Sequence, residues 1–516
     1  MGTKILQPDV NFGVTSAPHA VDNAAQRALI VAQMTSAGSA TSGALYQDIG
    51  NAGQEAALFG ARSHAAASVR AFKAIAPEVA LDVIPLDDSG SAVARAVTMT
   101  FSGTATEDGS YVISCGGQYN YSTTVSVSSG DTAATVASAV DDACDLLTNA
   151  PFTTDESSAV VTFTAANGGT VANGLGIDCY GSVAGLTVAV AEDTAGANDP
   201  TLTGVLDVVA NIRYQGIVWA FSNSTSVLVA SLVAKGFAKT NEILDGVGFV
   251  VDVDSLADHT TALGSLNEKH LVYFAQKEES ETAYVGPSYN EPSYELAAMV
   301  AAVRAKRLTE DAALGLYVTT RAALDQFGGT ELASLPYFNT RLPQVNVART
   351  GRGWTNTEIE SLKALGGSVV GEDRTSSNVV LGEVVSTYLT DSGGNPDVTF
   401  TFLNYMDTIS AVREYFHNNN RSRFAQSRLT SGTQLVAGRD VVNEAVFRGY
   451  QNRLYLDCEQ LQLVEPGQAA RDFFANNLTY TPTLSEGKIT TTYRVPIVVQ
   501  FRTLIATLQI VFDTSN

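Results

Sequence analysis

The chain has 516 residues, 45% of them hydrophobic and 16% charged. That balance describes a folded globular protein of several domains, because a single hydrophobic core does not grow to this size. A net charge of −22 argues against wholesale nucleic-acid binding and suits either solubility before assembly or an oppositely charged partner surface.

Near the N-terminus Val10, Phe12 and Val14 alternate with Asn11, Gly13 and Thr15, between Pro8 and Pro18. Period-two spacing predicts a short strand, and with no partner nearby in sequence it reads as an arm. Residues 27–33 (RALIVAQ) lack alternation, as a strand buried on both faces does. Residues 52–76 carry helical spacing in Ala57, Leu58, Ala61, Phe72 and Ile75, and 80–85 predict another strand.

The next boundary is compositional. Between Arg95 and Arg213 there is no Lys, Arg or His, and residues 97–199 hold twelve Asp and Glu, more than half of the net negative charge. Runs at 97–101, 111–115, 123–127, 160–164 and 186–190 predict strands. Residues 132–147 predict one helix, with Val136, Ala139, Val140, Ala143 and Leu147 on one face. This is a small β-rich module inserted in a larger domain. Its acidity is either a solvated outer face or a binding surface. Beyond it, apolar runs at 216–221, 247–253 and 271–275 are separated by helical stretches at 224–238, 259–267 and 294–306. Such alternation predicts a sheet with helices packed on it.

The last third opens with Thr399, Phe400, Thr401, Phe402 and Leu403, an alternation that predicts a strand, then a helix at 407–417. A basic loop, a helix at 441–455 and a long strand-like segment at 491–512 follow. In that segment Ile497, Val499 and Phe501 are apolar at period two. The phase slips at Arg502 and Thr503, and Leu504, Ala506, Leu508, Ile510 and Phe512 carry the pattern on. A one-residue slip turns every side chain to the other face, so a bulge is expected there. Pro496 donates no ladder bond and places the start on a sheet edge. An apolar strand there needs a partner, within its own subunit or on a neighbour by strand addition.

No motif carries catalytic force. Gly246-Val247-Gly248 and Gly351-Arg352-Gly353 lack the third glycine of a dinucleotide fingerprint, and Gly487-Lys488 is followed by Ile489 rather than Ser or Thr. The five histidines are scattered, so no metal cluster and no cofactor is expected. Asp252 and Asp254 read as a strand-end turn, and residues 391–395 as a hairpin turn. The cysteines, Cys115, Cys144, Cys179 and Cys458, read as buried thiols in a reducing compartment, with a Cys115–Cys179 disulfide as the alternative. No signal peptide and no membrane-length apolar run is visible, so neither export nor membrane insertion is expected. One anomaly stands out in charge. Residues 413–453 hold seven arginines (Arg413, Arg421, Arg423, Arg428, Arg439, Arg448 and Arg453) against three acids, a net +4 within an acidic chain. A solvated or internally paired surface, a nucleic-acid patch and a protein contact are the three readings, and the guanidinium fork favours the last.

The order of strand, helix, basic loop, helix and terminal strands, best matched over 404–464, resembles the C-terminal domain of contractile-tail sheath proteins of bacteriophages, especially the Mu-like group. The resemblance implies a structural polymer subunit, not an enzyme, made in the host cytoplasm and carried in the virion. It implies a multidomain α/β and α+β fold with an N-terminal strand arm (1–22) and an α/β domain (23–96 plus 200–395). An inserted β-rich outer domain (97–199), a C-terminal α+β polymerisation domain (396–490) and a C-terminal strand arm (491–516) complete it. In the family, copies stack as six-fold rings around an inner tail tube, and arms of neighbours add strands to the C-terminal domain. The implied partners are therefore other copies, the tube protein, and baseplate and terminator proteins, with no nucleic acid. The arm residues would be Val10, Phe12, Val14, Ile497, Val499, Phe501, Leu504, Leu508 and Ile510. Arg439, Arg448 and Arg453 would face the tube, with Arg448 favoured because it shares a helix face with Glu444 and Asn452. Phe447 and Tyr450 would pack inward. The rival readings are a virion surface or decoration protein and an α/β enzyme with a β-rich appendage.

Overall fold

The computed structural model describes residues 26–498, apart from 51–52, 117–120, 238, 240–241, 282, 288, 290, 311–336, 338–339, 343–344, 346–352, 373–377 and 434–439. The first unit runs β1 (Arg27–Gln33), α1 (Gln54–Phe59), α2 (His64–Ile75) and β2 (Ala80–Leu86). The insertion follows as β3 (Ala94–Gly103), β4 (Gly109–Cys115), β5 (Ser122–Val127), α3 (Ala133–Asp145), β6 (Phe152–Ser157), β7 (Val160–Gly168), β8 (Ile177–Tyr180) and β9 (Leu186–Thr194). The chain then returns through β10 (Gly216–Trp219), α4 (Ser226–Lys235), β11 (Val247–Asp254), α5 (Leu256–Gly264), β12 (Leu271–Glu281), β13 (Tyr284–Pro287) and α6 (Ser293–Glu310). It continues with α7 (Asn356–Ala364), β14 (Gly367–Ser368), β15 (Val370–Glu372) and β16 (Val379–Leu381). The C-terminal part holds α8 (Leu403–Phe424), β17 (Arg428–Leu429), β18 (Val441–Val442), α9 (Glu444–Gln460), α10 (Gln468–Asn477), β19 (Thr481–Thr483) and β20 (Lys488–Thr490).

The architecture is mixed α/β. β2, β1, β10, β11 and β12 lie side by side, every pair parallel, and β14 joins β12 in the same sense. β1 sits inside this sheet with six of its seven residues buried, which is why its sequence shows no alternation. α2 and α6 are rich in alanine, whose small side chain lets them pack tightly against each other and against β1. On β11, Gly248 makes room for α4, because a Cβ there would lie 2.7 Å from Leu228 Cδ2.

The insertion is not a separate sheet beside this one. From β12 the order continues antiparallel through β13, β8, β4 and β5, and Tyr284 pairs with Asp178 across the junction. A second sheet, β6-β7-β3-β9, completes the insertion. One contiguous hydrophobic core runs through both, from Leu29 to Phe163 and Leu381. The two ends of the insertion meet, with Ala96 opposite Thr194 and Val93 bridged to Ala197. α3 is capped by Thr132, whose side chain accepts from Thr135 N.

Two sequence expectations are corrected. Thr399–Leu403 is no strand: residues 399–401 form a turn, Phe402 makes a single bridge to Val385, and Leu403 already opens α8. Asp397 causes this, since its carboxylate accepts from both Thr399 N (2.9 Å) and Thr399 Oγ1 (2.6 Å) and turns the chain. Among residues 491–498 only Ile497 makes a β-bridge, so the described part of the expected terminal strand is irregular. The alternative disulfide is not formed either: Cys179 faces Ile113 in register, and Cys115 Sγ lies 3.9 Å from Cys144 Sγ instead, all four thiols being free and buried.

Candidate inter-subunit interface

Two places in this fold are candidates for function, and the first is filled by the protein itself. In a parallel sheet of this strand order, the chain runs from β1 to β2 on one side and returns after the insertion to β10 on the other, and ligands of such folds sit in the crevice beyond that switch point. Here the end of β7 occupies it. Asn167 Nδ2 donates to Met34 O (2.7 Å) and Asp88 Oδ1 (2.9 Å), and Asn167 Oδ1 accepts from His64 N (3.1 Å) at the start of α2. Gln33, the last residue of β1, donates to Asp88 (2.7 Å) and to Gly168 O. Gln33, His64 and Asn167 are wholly buried. Nearby, Asp252 accepts from Tyr273 (2.8 Å), which in turn meets His259 Nδ1 (2.9 Å). Among the described residues no group of three His, Cys, Asp or Glu is placed to hold a metal.

The second place is built on α8, whose two halves do different things. The first half is bolted to the α/β body. Asp407 accepts from Arg304 Nη2 (2.6 Å) and Nε (3.1 Å) and from the Tyr337 hydroxyl, all three residues being buried. Ser410 donates to Asp245, Arg413 Nη1 reaches the same carboxylate (2.7 Å), and Arg213 pairs with Glu414 (2.7 Å). Asp407, Ser410 and Glu414 stand at three- and four-residue spacing, hence on one helix face.

The second half packs into a smaller core of its own. Phe416 meets Phe474 and Tyr493 edge-on, at 6.0 and 5.3 Å between ring centres, and Phe424 lies over Phe447 and Tyr450. Beside it opens a groove of about 1040 Å³. Its apolar wall comprises Ile409, Val412, Phe416 and Phe424 from α8, Leu429 and Val442 from β17 and β18, Phe447 from α9, and Ile489, Tyr493, Val495 and Ile497. Arg413, His417, Arg421 and Arg428 also line it. Arg421 and Arg428 are exposed and have no ion pair among the described residues, whereas Arg423 is held by Asp440 (2.9 Å). Partial burial, with Arg413 and Arg421 nearby, holds the His417 imidazole below its ordinary value. Burial pushes the Tyr493 hydroxyl up to about 12.

Two ribbons flank this groove. β17 and β18 pair in parallel, β19 and β20 antiparallel, and each pair stands as a two-stranded sheet among the described residues. A two-stranded ribbon is marginal alone and gains from further strands or packing.

Of the arm residues expected from the sequence, Ile497 is brought to the groove, where it bridges Val464 of its own chain. Val10, Phe12, Val14, Val499, Phe501, Leu504, Leu508 and Ile510 lie outside the described residues, as does Arg439. Arg448 and Arg453 both stand on α9 but differ. Arg448 is committed to Glu444 (2.7 Å) and to Leu478 O (2.6 Å), while Arg453 is 73% exposed and reaches Asp457 only at 3.4 Å. Phe447 is buried and Tyr450 half-buried. Sequence reasoning passed over the groove wall, although Ile409, Val412 and Phe416 repeat at helical spacing.

No protein-family model matches the chain. The Mu-like prophage FluMu tail sheath protein of Haemophilus influenzae is 23% identical over 463 residues, covering 88% of this chain and 87% of that protein. Among solved structures, the sheath tail protein Lin1278 from Listeria innocua overlays with a TM-score of 0.41 at 10% identity, over 92% of this chain and 95% of that one. No described helix is long and apolar enough to cross a membrane. The resemblance read from the C-terminal third thus extends over most of the chain, which is similar to a tail sheath protein of the Mu-like phages.

Proposed function

We propose that this chain is the structural subunit of a phage contractile tail sheath. Copies polymerise as stacked six-fold rings around an inner tail tube, and contraction drives the tube through the host envelope. Similarity to a tail sheath protein supports the role. The observation that carries the assembly mode is the groove, an apolar trough flanked by two short ribbons that would each gain from an added strand. Its occupant is a terminal segment of another copy. Residues 1–25 and 499–516 contain two apolar alternating stretches of this chain, around Phe12 and Leu508, and the cationic Arg421 and Arg428 beside the trough suit a carboxylate on the entering strand.

In this reading the acidic insertion faces outward and α9 approaches the tube, with Arg453 as its most available cation. The remaining partners are the tube, baseplate and terminator proteins, and the location is the virion. The test is assembly. Chains lacking residues 1–18 or 499–516, the latter cut placed beyond the Ile497 bridge, should fold and stay soluble but form no tubes under negative stain. Normal tubes from either truncation would remove that segment from the connecting set.

A further inference from the structure

We propose that the two ends of the described chain are anchored with unequal mechanical strength, so that the C-terminal root is the compliant joint of the subunit. The functional meaning of this rests on the strand-exchange reading above, in which both terminal segments carry load between copies.

The N-terminal root is Arg27, the first residue of β1. β1 lies inside the parallel sheet, in register with β2 from Arg27 opposite Ala80 to Gln33 opposite Leu86, and with β10 on its other side. A pull on the N-terminal segment enters the fold at Arg27, and its component along β1 loads the ladders on both sides at once. To move, β1 must slide past both neighbours, and its ladder bonds break together rather than in turn. The root is also clamped. Arg27 Nη1 donates to both oxygens of Asp82 at 2.8 Å, and Arg27 N donates to Gln215 Oε1 at 2.9 Å. Asp82 is wholly buried and also accepts from the Tyr214 hydroxyl (2.6 Å) and from Asp48 N (3.0 Å). A buried carboxylate satisfied from three sides resists withdrawal, because loss of any partner leaves it desolvated and underpaired.

The C-terminal root is built the other way. Ile497 is tied to Val464 by one bridge, with Glu465 N donating to Pro496 O (2.9 Å) and Val498 N to Leu463 O (3.4 Å). Pro496 has no N–H of its own to add. Behind it, residues 491–496 lie outside regular structure, and among the described residues β20 pairs with β19 alone. Further back, Tyr493 packs on Phe416 and Phe474, and Thr491 and Thr492 bond Thr479, but these contacts follow one another along the chain, so a pull on residue 498 loads the bridge first and them only afterwards.

The experiment stretches single full-length molecules at nanomolar concentration between two handles. One handle is on Glu360→Cys, an exposed position on α7. Native cysteines are buried, so labelling is selective. The second handle is on either the N- or the C-terminus. The C-terminal pull should give an early low-force step that releases residues 479–498, about 70 Å of chain at full extension. The N-terminal pull should show no early step and a rupture force several-fold higher. Tyr214→Phe, which removes one bond to Asp82, should lower the N-terminal force and leave the C-terminal step unchanged. An N-terminal root that yields at equal or lower force overturns the proposal, and so does a Tyr214→Phe effect shared equally by both pulls. Tube formation by the truncated chains bears on strand exchange alone, so failure of that reading and failure of this one are told apart.

Discussion

Glu295 lies in the first turn of α6 with 3% of its surface exposed, next to Tyr121 of the insertion and Arg70 of α2. Burial pushes its carboxyl from an ordinary 4.5 up to about 8, although Arg70 and the Tyr121 hydroxyl pull the other way. Below pH 4.5 the group is protonated in both the folded and the unfolded chain, and its neutral burial is without electrostatic cost. Between 4.5 and 8 the unfolded chain ionises while the folded one does not, so stability falls by about 1.4 kcal/mol per pH unit. Over the whole window the loss is about 5 kcal/mol, an upper figure because Arg70 relaxes with its neighbours. Glu295→Gln keeps the shape and the hydrogen-bond acceptor and removes the titration. At pH 7.5 it should be more stable than the parent by roughly 4 kcal/mol, and the difference should vanish near pH 4.5. Urea unfolding at several pH values, followed by the buried Trp219 in the same core, measures this. A variant that keeps the parental pH slope between 5 and 8, or is the weaker protein at pH 7.5, refutes the reasoning.

Asp407→Asn should cost about 3–5 kcal/mol in thermal unfolding, because it strands the buried Arg304 guanidinium; Arg304→Met with Asp407→Leu should recover most of that, and no recovery would mean the pair is not the cause. Arg453→Glu should leave stability within about 0.5 kcal/mol of the parent and weaken co-sedimentation with the tube, whereas Arg448→Glu should lower the melting temperature as well. His64 is buried and neutral, held at about 3 by burial, so stability is fully present above its ordinary 6.5 and is lost as pH falls toward 3; His64→Gln should shallow that acid limb in the same urea series. Replacing residues 97–199 by a short Gly/Ser linker joins ends that are already adjacent, yet should yield an insoluble or molten body, because it uncovers β13 and removes Asn167 from the crevice; a cooperatively folded product would show the insertion to be dispensable.

What the sequence discloses depends on how local the cause is. β1, β2, β10 and β11 are legible because a run of buried β-branched and apolar residues has no other stable use in a domain of this kind. β6 escaped notice because only Phe152 of its six residues is buried, so an edge strand of Thr, Asp, Glu and Ser reads as loop. β8 escaped because four residues make no period, and its pairing with β13 joins segments about a hundred residues apart. Thr399–Leu403 alternates like a strand, but Asp397 turns the chain first. The basic stretch was visible as composition. Composition does not say that Arg413 is consumed by Asp245 and Arg448 by Leu478, while Arg421 and Arg428 have no ion pair among the described residues at the groove. That distinction belongs to tertiary geometry.

β1 ends at Gln33 against the corner of the insertion and begins at Arg27 where the N-terminal segment leaves. The two residues are about 20 Å apart along one extended strand. Under the strand-exchange proposal, β1 would act as a tie-rod between the insertion and the joint with the next copy. Its two-sided pairing with β2 and β10 would then set how faithfully a displacement at one end arrives at the other. A loosened fit of Asn167 would be felt as slack at Arg27, with no residue of the groove altered.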